Sequence, residues 1–217
     1  MCQEQVPLGQ VVESFGSDLP PTMIELSMVP TPRLWFISAS NDEIVQIQRD
    51  RFLCNWRKTS SEHAYPRYEA VSTSFFERLE SFRGFLREQM AAELTFTQFE
   101  ITYINHVAGG SAEQAFADIG NFLPDLCWRS EKRFLPAPSG VDAKYSFDLP
   151  DGRTRLHSKV NTGRRKDNGN PVLILDMTAR GVGPDLAVWF ATAHEWIVRG
   201  FTDLTSHTAH QQWGRES

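Results

Sequence analysis

The chain has 217 residues, 41% of them hydrophobic, and a formal net charge of −5 at pH 7. A chain of this length and apolar content can bury roughly 70% of its unfolded surface, which excludes disorder over most of its length. The net negative charge excludes a surface that is basic all over, but it leaves room for a local basic patch.

The first half of the chain reads as strands followed by a long helix. Residues 1–22 are rich in glycine and proline, and we expect an irregular N-terminal segment there. A strand is predicted over 23–29, and a meander follows at 34–37, 44–48 and 52–56, with one packed face and one wet face. Apolar residues at three- and four-residue steps predict a long amphipathic helix over 68–90. A strand over 97–105 and a short helix over 111–122 complete this half.

The second half repeats this order. A short strand is predicted over 126–129, and a hairpin joins strands at 143–149 and 153–160 through the turn at 150–152. A further strand is expected over 172–178. A long helix over 185–204 starts at Asp185 and carries an apolar stripe, and Ser206 caps a last short helix that ends near Trp213.

This order predicts an α+β fold made of two similar halves, about 23–122 and 123–217, within a single domain over 23–217. A curved antiparallel sheet backed by the two long amphipathic helices would cover both apolar stripes. The same arrangement leaves the other face of the sheet free for a partner.

Several phrases resemble a sporadically distributed, uncharacterised family of bacterial and archaeal proteins. They are Pro32–Phe36, Arg51–Arg57, Tyr65–Tyr68, Glu100–His106 and His194–Thr205, and together they span nearly the whole chain. The resemblance implies no activity and no catalytic residue. The patchy distribution of that family implies mobile defence or toxin–antitoxin genes as a setting.

A basic segment is the main candidate site. Its residues are Arg153, Arg155, His157 and Lys159 on one face of a strand, and Arg164, Arg165 and Lys166 in the loop that follows. Clustered cations bind phosphates by releasing counterions, so an anion or nucleic-acid site is one interpretation. A solvated outer face and a surface for an acidic protein are the others.

No catalytic residue, metal site or cofactor is predicted. His194-Glu195 lacks the second histidine of a zinc-protease motif, because Val198 stands four positions on, and His194 is expected to bond to a neighbouring strand from the edge of the core. His207 and His210 lack a matching carboxylate or cysteine. Of the three cysteines, Cys54 and Cys127 lie in apolar, strand-like settings and are expected to be inert, and no Cys-x-x-Cys pair is present.

The leading hypothesis is therefore a non-enzymatic protein-interaction module that engages a partner through its open sheet face or basic loop. Nucleic-acid or nucleotide binding through the basic strand and loop is an alternative, and an enzyme of unrecognised type is another. The polar start of the chain and the lack of eighteen consecutive apolar residues predict a cytoplasmic protein without a membrane span. A homo-oligomer is also compatible with the exposed aromatic residues.

Overall fold

The computed structural model describes residues 1–9, 11–15, 32–60, 63–108, 119–126, 132–136, 138, 140–165 and 168–213. The strands in these residues are β1 (Cys2–Gln5), β2 (Arg33–Ile37), β3 (Glu43–Gln48), β4 (Arg51–Trp56), β5 (Phe99–Ala108), β6 (Asp142–Asp148), β7 (Thr154–Arg164) and β8 (Pro171–Gly181). The helices are α1 (Arg67–Met90), α2 (Ile119–Phe122), α3 (Leu186–Leu204) and α4 (His207–Gln212). None of these four helices has the length and apolar character needed to cross a bilayer.

The fold is α+β and divides into two compact units. One unit comprises Met1–Val12 and Leu19–Phe96, and the other comprises Glu13–Asp18 and Thr97–Ser217. Each contains a four-stranded antiparallel sheet within the described residues. The sequence predicted one curved sheet, whereas the structure has two four-stranded antiparallel sheets.

The first sheet has the strand order β1-β2-β3-β4. Helix α1 packs against β4, where the ring of Phe52 stacks on Phe82 with centroids 5.2 Å apart and lies 6.1 Å from Phe75. The helix therefore follows directly after the strand that it covers. Its predicted range, 68–90, agrees with the observed one to within a residue.

Two expectations for the first unit were wrong. Cys2–Gln5 forms a strand on the edge of β2, although residues 1–22 were predicted to be irregular; the N-terminal ammonium helps by donating to Ile37 O at 3.0 Å. Gln46 was assigned to a wet face but is only 8% exposed. Its side chain accepts from Arg33 and donates to Asn55, so a buried polar group is satisfied by polar neighbours.

The second sheet has the strand order β5-β8-β7-β6. Its inner face forms the main core, because alternate residues of β7 and β8 point to the same side and are almost completely buried. Helix α3 covers this face with Trp189, Ala193 and Ile197. Gly200 allows the close approach, since a Cβ there would lie 3.0 Å from Leu156 Cδ2.

The starts of helices α3 and α4 agree with the N-caps predicted from the sequence. The carboxylate of Asp185 accepts from Val188 N at the start of α3, at 2.8 Å. Ser206 Oγ accepts from Ala209 N at the start of α4, at 3.1 Å. Both helices therefore begin where the sequence placed them.

The two units share part of their topology. Each has a three-stranded meander that is followed directly by a long helix, β2-β3-β4-α1 in one and β6-β7-β8-α3 in the other. The fourth strand differs, because β1 pairs with the first strand of its meander and β5 with the last. The two units therefore have the meander and the helix in common and differ in the fourth strand.

Some sequence predictions lie outside the described residues. These are the strand over 23–29, most of the helix over 111–122 and most of the strand over 126–129. Leu126, at the start of that last segment, belongs to a 3-10 turn over Pro124–Leu126.

Candidate functional site

The outer face of the second sheet, which is the face opposite α3, carries polar side chains in cross-strand rows. Strand pairing places the members of each row directly opposite one another on four neighbouring strands. The first row is Asp148, Arg155, Arg180 and Glu100; the second is Ser146, His157, Thr178 and Thr102; the third is Lys144, Lys159, Asp176 and Ile104. Residues opposite each other interact most strongly in a sheet, so each row can be considered as a unit.

The first row consists of two ion pairs, with the two arginines in the middle and the two carboxylates at the ends. Arg155 Nε donates to Asp148 Oδ1 at 2.6 Å, and Arg180 Nε donates to Glu100 Oε2 at 2.5 Å. The two arginines are opposite each other in register, and like charges in this position repel. Each outer carboxylate offsets one arginine, and side-chain hydrogen bonding to Asp148 raises the pKa of Arg155.

The carboxylate of Glu13 is contacted by side chains from the first two rows. Arg155 Nη1 donates to Glu13 Oε2 at 3.0 Å, and Arg180 Nη1 is 3.7 Å from Glu13 Oε1. His157 Nε2 is also hydrogen-bonded to Oε1, and it must be the donor because a carboxylate only accepts. The Glu13 side chain is 8% exposed, so two guanidinium groups and one imidazole enclose one nearly buried carboxylate.

The second row positions His157. Its Nδ1 is 2.9 Å from Ser146 Oγ, on the neighbouring strand β6. On the other side, Thr178 and Thr102 share a hydrogen bond of 2.9 Å between their hydroxyl oxygens. The imidazole is therefore held by the sheet at one nitrogen and faces Glu13 with the other.

The third row has exposed cations beside a half-buried acid. Lys144 and Lys159 are exposed and directly opposite each other, and Lys159 is also opposite Asp176. Burial raises the pKa of Asp176, although the charges of Lys159 and His106 oppose the shift. Asp176 Oδ1 is buried and makes no hydrogen bond within the described part of the chain.

The predicted basic segment is divided by the structure. Arg155, His157 and Lys159 lie together on the outer face, as the alternation predicted, but the first two are paired with Glu13. Arg153 follows the exposed hairpin turn, where its backbone N–H donates to Asp151.

The loop part of the basic segment does not join that face. Arg164 Nη1 donates to Gly169 O within its own loop, at 3.0 Å, and the backbone of Arg165 bonds to Asn170. Lys166 lies outside the described residues. The predicted seven-residue cluster therefore contributes three side chains to one surface.

The histidines singled out in the sequence have local partners. His194 Nδ1 is 3.1 Å from the hydroxyl of Tyr103 on β5, which confirms the predicted bond from the core edge to a neighbouring strand. His210 Nε2 is 2.7 Å from Thr205 Oγ1, and His207 is hydrogen-bonded to Gln211. The described residues hold no group of three or more histidine, cysteine, aspartate or glutamate side chains arranged for a metal.

Cys54 is one of the two cysteines that were expected to be unreactive. Its thiol is half-buried on β4, and burial raises its pKa to about 11. A thiol with this pKa is almost entirely protonated at neutral pH and is a poor nucleophile. Cys127 lies outside the described residues.

A groove of about 370 Å³ opens beside the start of α3. Its lining includes Arg153, Val182, Pro184 and Val188, with the carboxylates of Asp151 and Asp185. Both carboxylates are engaged locally, Asp151 with the backbone of Arg153 and Thr154, and Asp185 as the cap of α3. The groove is therefore lined partly by apolar side chains, and its two carboxylates already accept hydrogen bonds from neighbouring residues.

In comparisons with known proteins, no family model, no curated protein and no solved structure matched the chain.

Three residues that lie close to Arg155 were not anticipated as site residues from the sequence: Glu13, Arg180 and Asp148. Arg180 and Asp148 could have been found by extending the alternation of β8 and β6, which assigns them to the face of Arg155. Glu13 carries no such signal, because it belongs to a segment without helix or strand and is 142 residues from Arg155 in sequence.

Proposed function

We propose that the protein is a non-enzymatic interaction module that binds a partner protein through the outer face of its second sheet. The observation that carries the proposal is the mixture of charges on that face. Its strands present the cations Lys144, Arg155, Lys159 and Arg180 and the carboxylates Asp142, Asp148, Asp176 and Glu100.

A mixed face of this kind suits a protein better than a polyanion. Phosphate backbones are bound by uncompensated cations, whereas Arg155 and Arg180 already have carboxylate partners. A protein surface can instead supply charges of both signs in a matching register, which gives specificity and fixes orientation.

The face has exposed side chains available for contact. Lys144 and Lys159 are exposed, the side chain of Asp148 is 72% exposed, and Ile104, opposite Asp176 on the edge strand β5, is 63% exposed. An exposed apolar side chain in the same row as charged groups combines the apolar and polar contacts of an interface. It adds an apolar anchor to the electrostatic match.

The proposal is tested by affinity capture from the native cell, with and without nuclease, using wild type and the double variant Lys144→Glu/Lys159→Glu. The matched control is Arg87→Glu/Arg199→Glu, which makes the same charge change on exposed positions of α1 and α3. We expect a stoichiometric protein that survives nuclease, is retained by the control and falls at least tenfold with the double variant.

Other outcomes would contradict it. Loss of the captured protein on nuclease treatment, or recovery of nucleic acid whose binding weakens steeply with salt, would favour the nucleic-acid alternative. Equal loss with the control variant would show that net charge, and not this face, controls binding.

A further inference from the structure

The three side chains that contact the Glu13 carboxylate also make other contacts that hold them in place. Arg155 is bonded to Asp148, Arg180 to Glu100 and His157 to Ser146, in each case through an atom other than the one that faces Glu13. All six of these residues belong to paired strands of one sheet. The site is therefore preorganised and would keep its shape if the Glu13 carboxylate left.

Glu13 itself lies outside the paired strands of the sheet. It lies in the described segment 11–15, which has neither helix nor strand, and its backbone N–H donates to Gln98 Oε1 at 2.9 Å. Two residues on, the ring of Phe15 lies 5.5 Å from the Arg155 guanidinium, within range of a cation–π contact. Val11 and Val12, which precede Glu13, are 52% and 58% exposed.

We propose that Arg155, His157 and Arg180 form a receptor site for a carboxylate on an acidic segment of a partner protein, and that Glu13 is an internal occupant which competes with it. This inference rests on the proposed function, because it assigns part of the same face to the partner. The site takes a glutamate or aspartate followed, two residues later, by an aromatic side chain, which is the pattern of Glu13-Ser14-Phe15.

The chemistry of the site suits a carboxylate. Arg155 and His157 each direct one N–H group at a different oxygen of one planar group, and Arg180 Nη1 lies 3.7 Å from Oε1. If the carboxylate left, two opposed arginines would face each other without compensation on that side, so an incoming anion would be bound in place of Glu13. Competition follows because a tethered group has a high effective concentration, of the order of millimolar.

The direct test uses the chain's own segment as the probe. The peptide acetyl-Val-Val-Glu-Ser-Phe-amide, residues 11–15, is titrated into wild type and the Glu13→Ala variant, while NMR follows the Nε–H signals of Arg155 and Arg180. We expect the variant to bind the peptide roughly tenfold or more tightly than wild type. In wild type the peptide must displace the Glu13 carboxylate, and one charge-assisted hydrogen bond to that carboxylate contributes about this much. A peptide with glutamine in place of the glutamate should bind at least tenfold more weakly.

Further variants distinguish an effect on the binding site from a general loss of folding. Glu13→Gln preserves the shape of the side chain and removes its charge, so it should also bind the peptide more tightly than wild type if Glu13→Ala fails to fold. Adding Arg180→Ala to either variant should abolish the gain. Equal binding by wild type and variants, or equal binding of both peptides, would overturn the inference. Tighter binding of inorganic phosphate than of the peptide would overturn the assignment to a carboxylate.

The capture experiment distinguishes this inference from the proposed function. Glu13→Gln should increase recovery of the partner, because it removes the competitor. If the partner is lost with Lys144→Glu/Lys159→Glu but unaffected by Glu13→Gln, the interaction face stands and the competition does not. If the peptide binds as expected but no partner is captured, the receptor site stands and the proposed function does not.

Discussion

Replacing Gly181 with alanine tests how closely β7 and β8 approach at the position next to the row that holds Arg155 and Arg180. Gly181 is opposite Thr154, and a Cβ added to it would lie 2.4 Å from Arg153 O and 2.9 Å from Thr154 Cα. Both atoms are backbone, so the strands themselves must separate, by roughly 1 Å, to accept a methyl group.

The expected loss of stability has two contributions. Overpacking against backbone costs about 1–3 kcal/mol. Thr154 also accepts a buried hydrogen bond from Trp189 Nε1 at 3.0 Å, and weakening it costs about a further 1 kcal/mol. We therefore expect Gly181→Ala to lower the free energy of unfolding by about 2–4 kcal/mol, a large part of the stability of an ordinary domain.

Urea unfolding followed by circular dichroism and tryptophan fluorescence measures this difference. The control is Gly163→Ala in the same strand pair, where an added Cβ would meet Ile174 Cδ1 at 3.8 Å, an ordinary contact. It should change stability by no more than about 0.5 kcal/mol. A cost below about 0.5 kcal/mol for Gly181→Ala, or equal costs for the two variants, would refute the close approach.

Three further predictions concern the core and two titratable groups. Ile197→Ala should cost about 2–4 kcal/mol in the same urea assay, because Ile197 is 2% exposed on the side of α3 that packs on the sheet; an unchanged midpoint would contradict the core assignment. Cys54 should react with iodoacetamide far more slowly than exposed Cys2 at neutral pH, as followed by mass spectrometry of the native protein, because a pKa of about 11 leaves little thiolate; equal rates would contradict this. Burial raises the pKa of Asp176, so the folded protein binds its proton more tightly than the unfolded chain, and ionisation lowers stability as the pH rises through that pKa. Asp176→Asn should accordingly be more stable than wild type at neutral pH, with a difference that shrinks on acidification in a series of urea titrations; a less stable variant at neutral pH would show that the pairing with Lys159 dominates.

Local patterns in the sequence determined the elements of the fold. The range of α3 and its cap at Asp185 followed from apolar spacing and from a side chain that accepts from its own helix. The alternation of Arg155, His157 and Lys159 placed these side chains on one face, because successive residues of a strand point to opposite sides. The bond from His194 to a neighbouring strand was anticipated because its position on the helix put it at the edge of the apolar stripe, whereas the identity of that strand, β5, was not.

The pairing of distant segments was decided only by the tertiary structure. Periodicity assigns a residue to a face but does not specify which strand lies beside it, so the pairing of β5 with β8 could not be deduced. The same limit applies to Glu13, whose segment has no periodicity and which meets Arg155 across 142 residues. A basic strand in the sequence thus becomes a mixed-charge surface in the folded protein, because the carboxylates that balance it come from other strands and from the N-terminal segment.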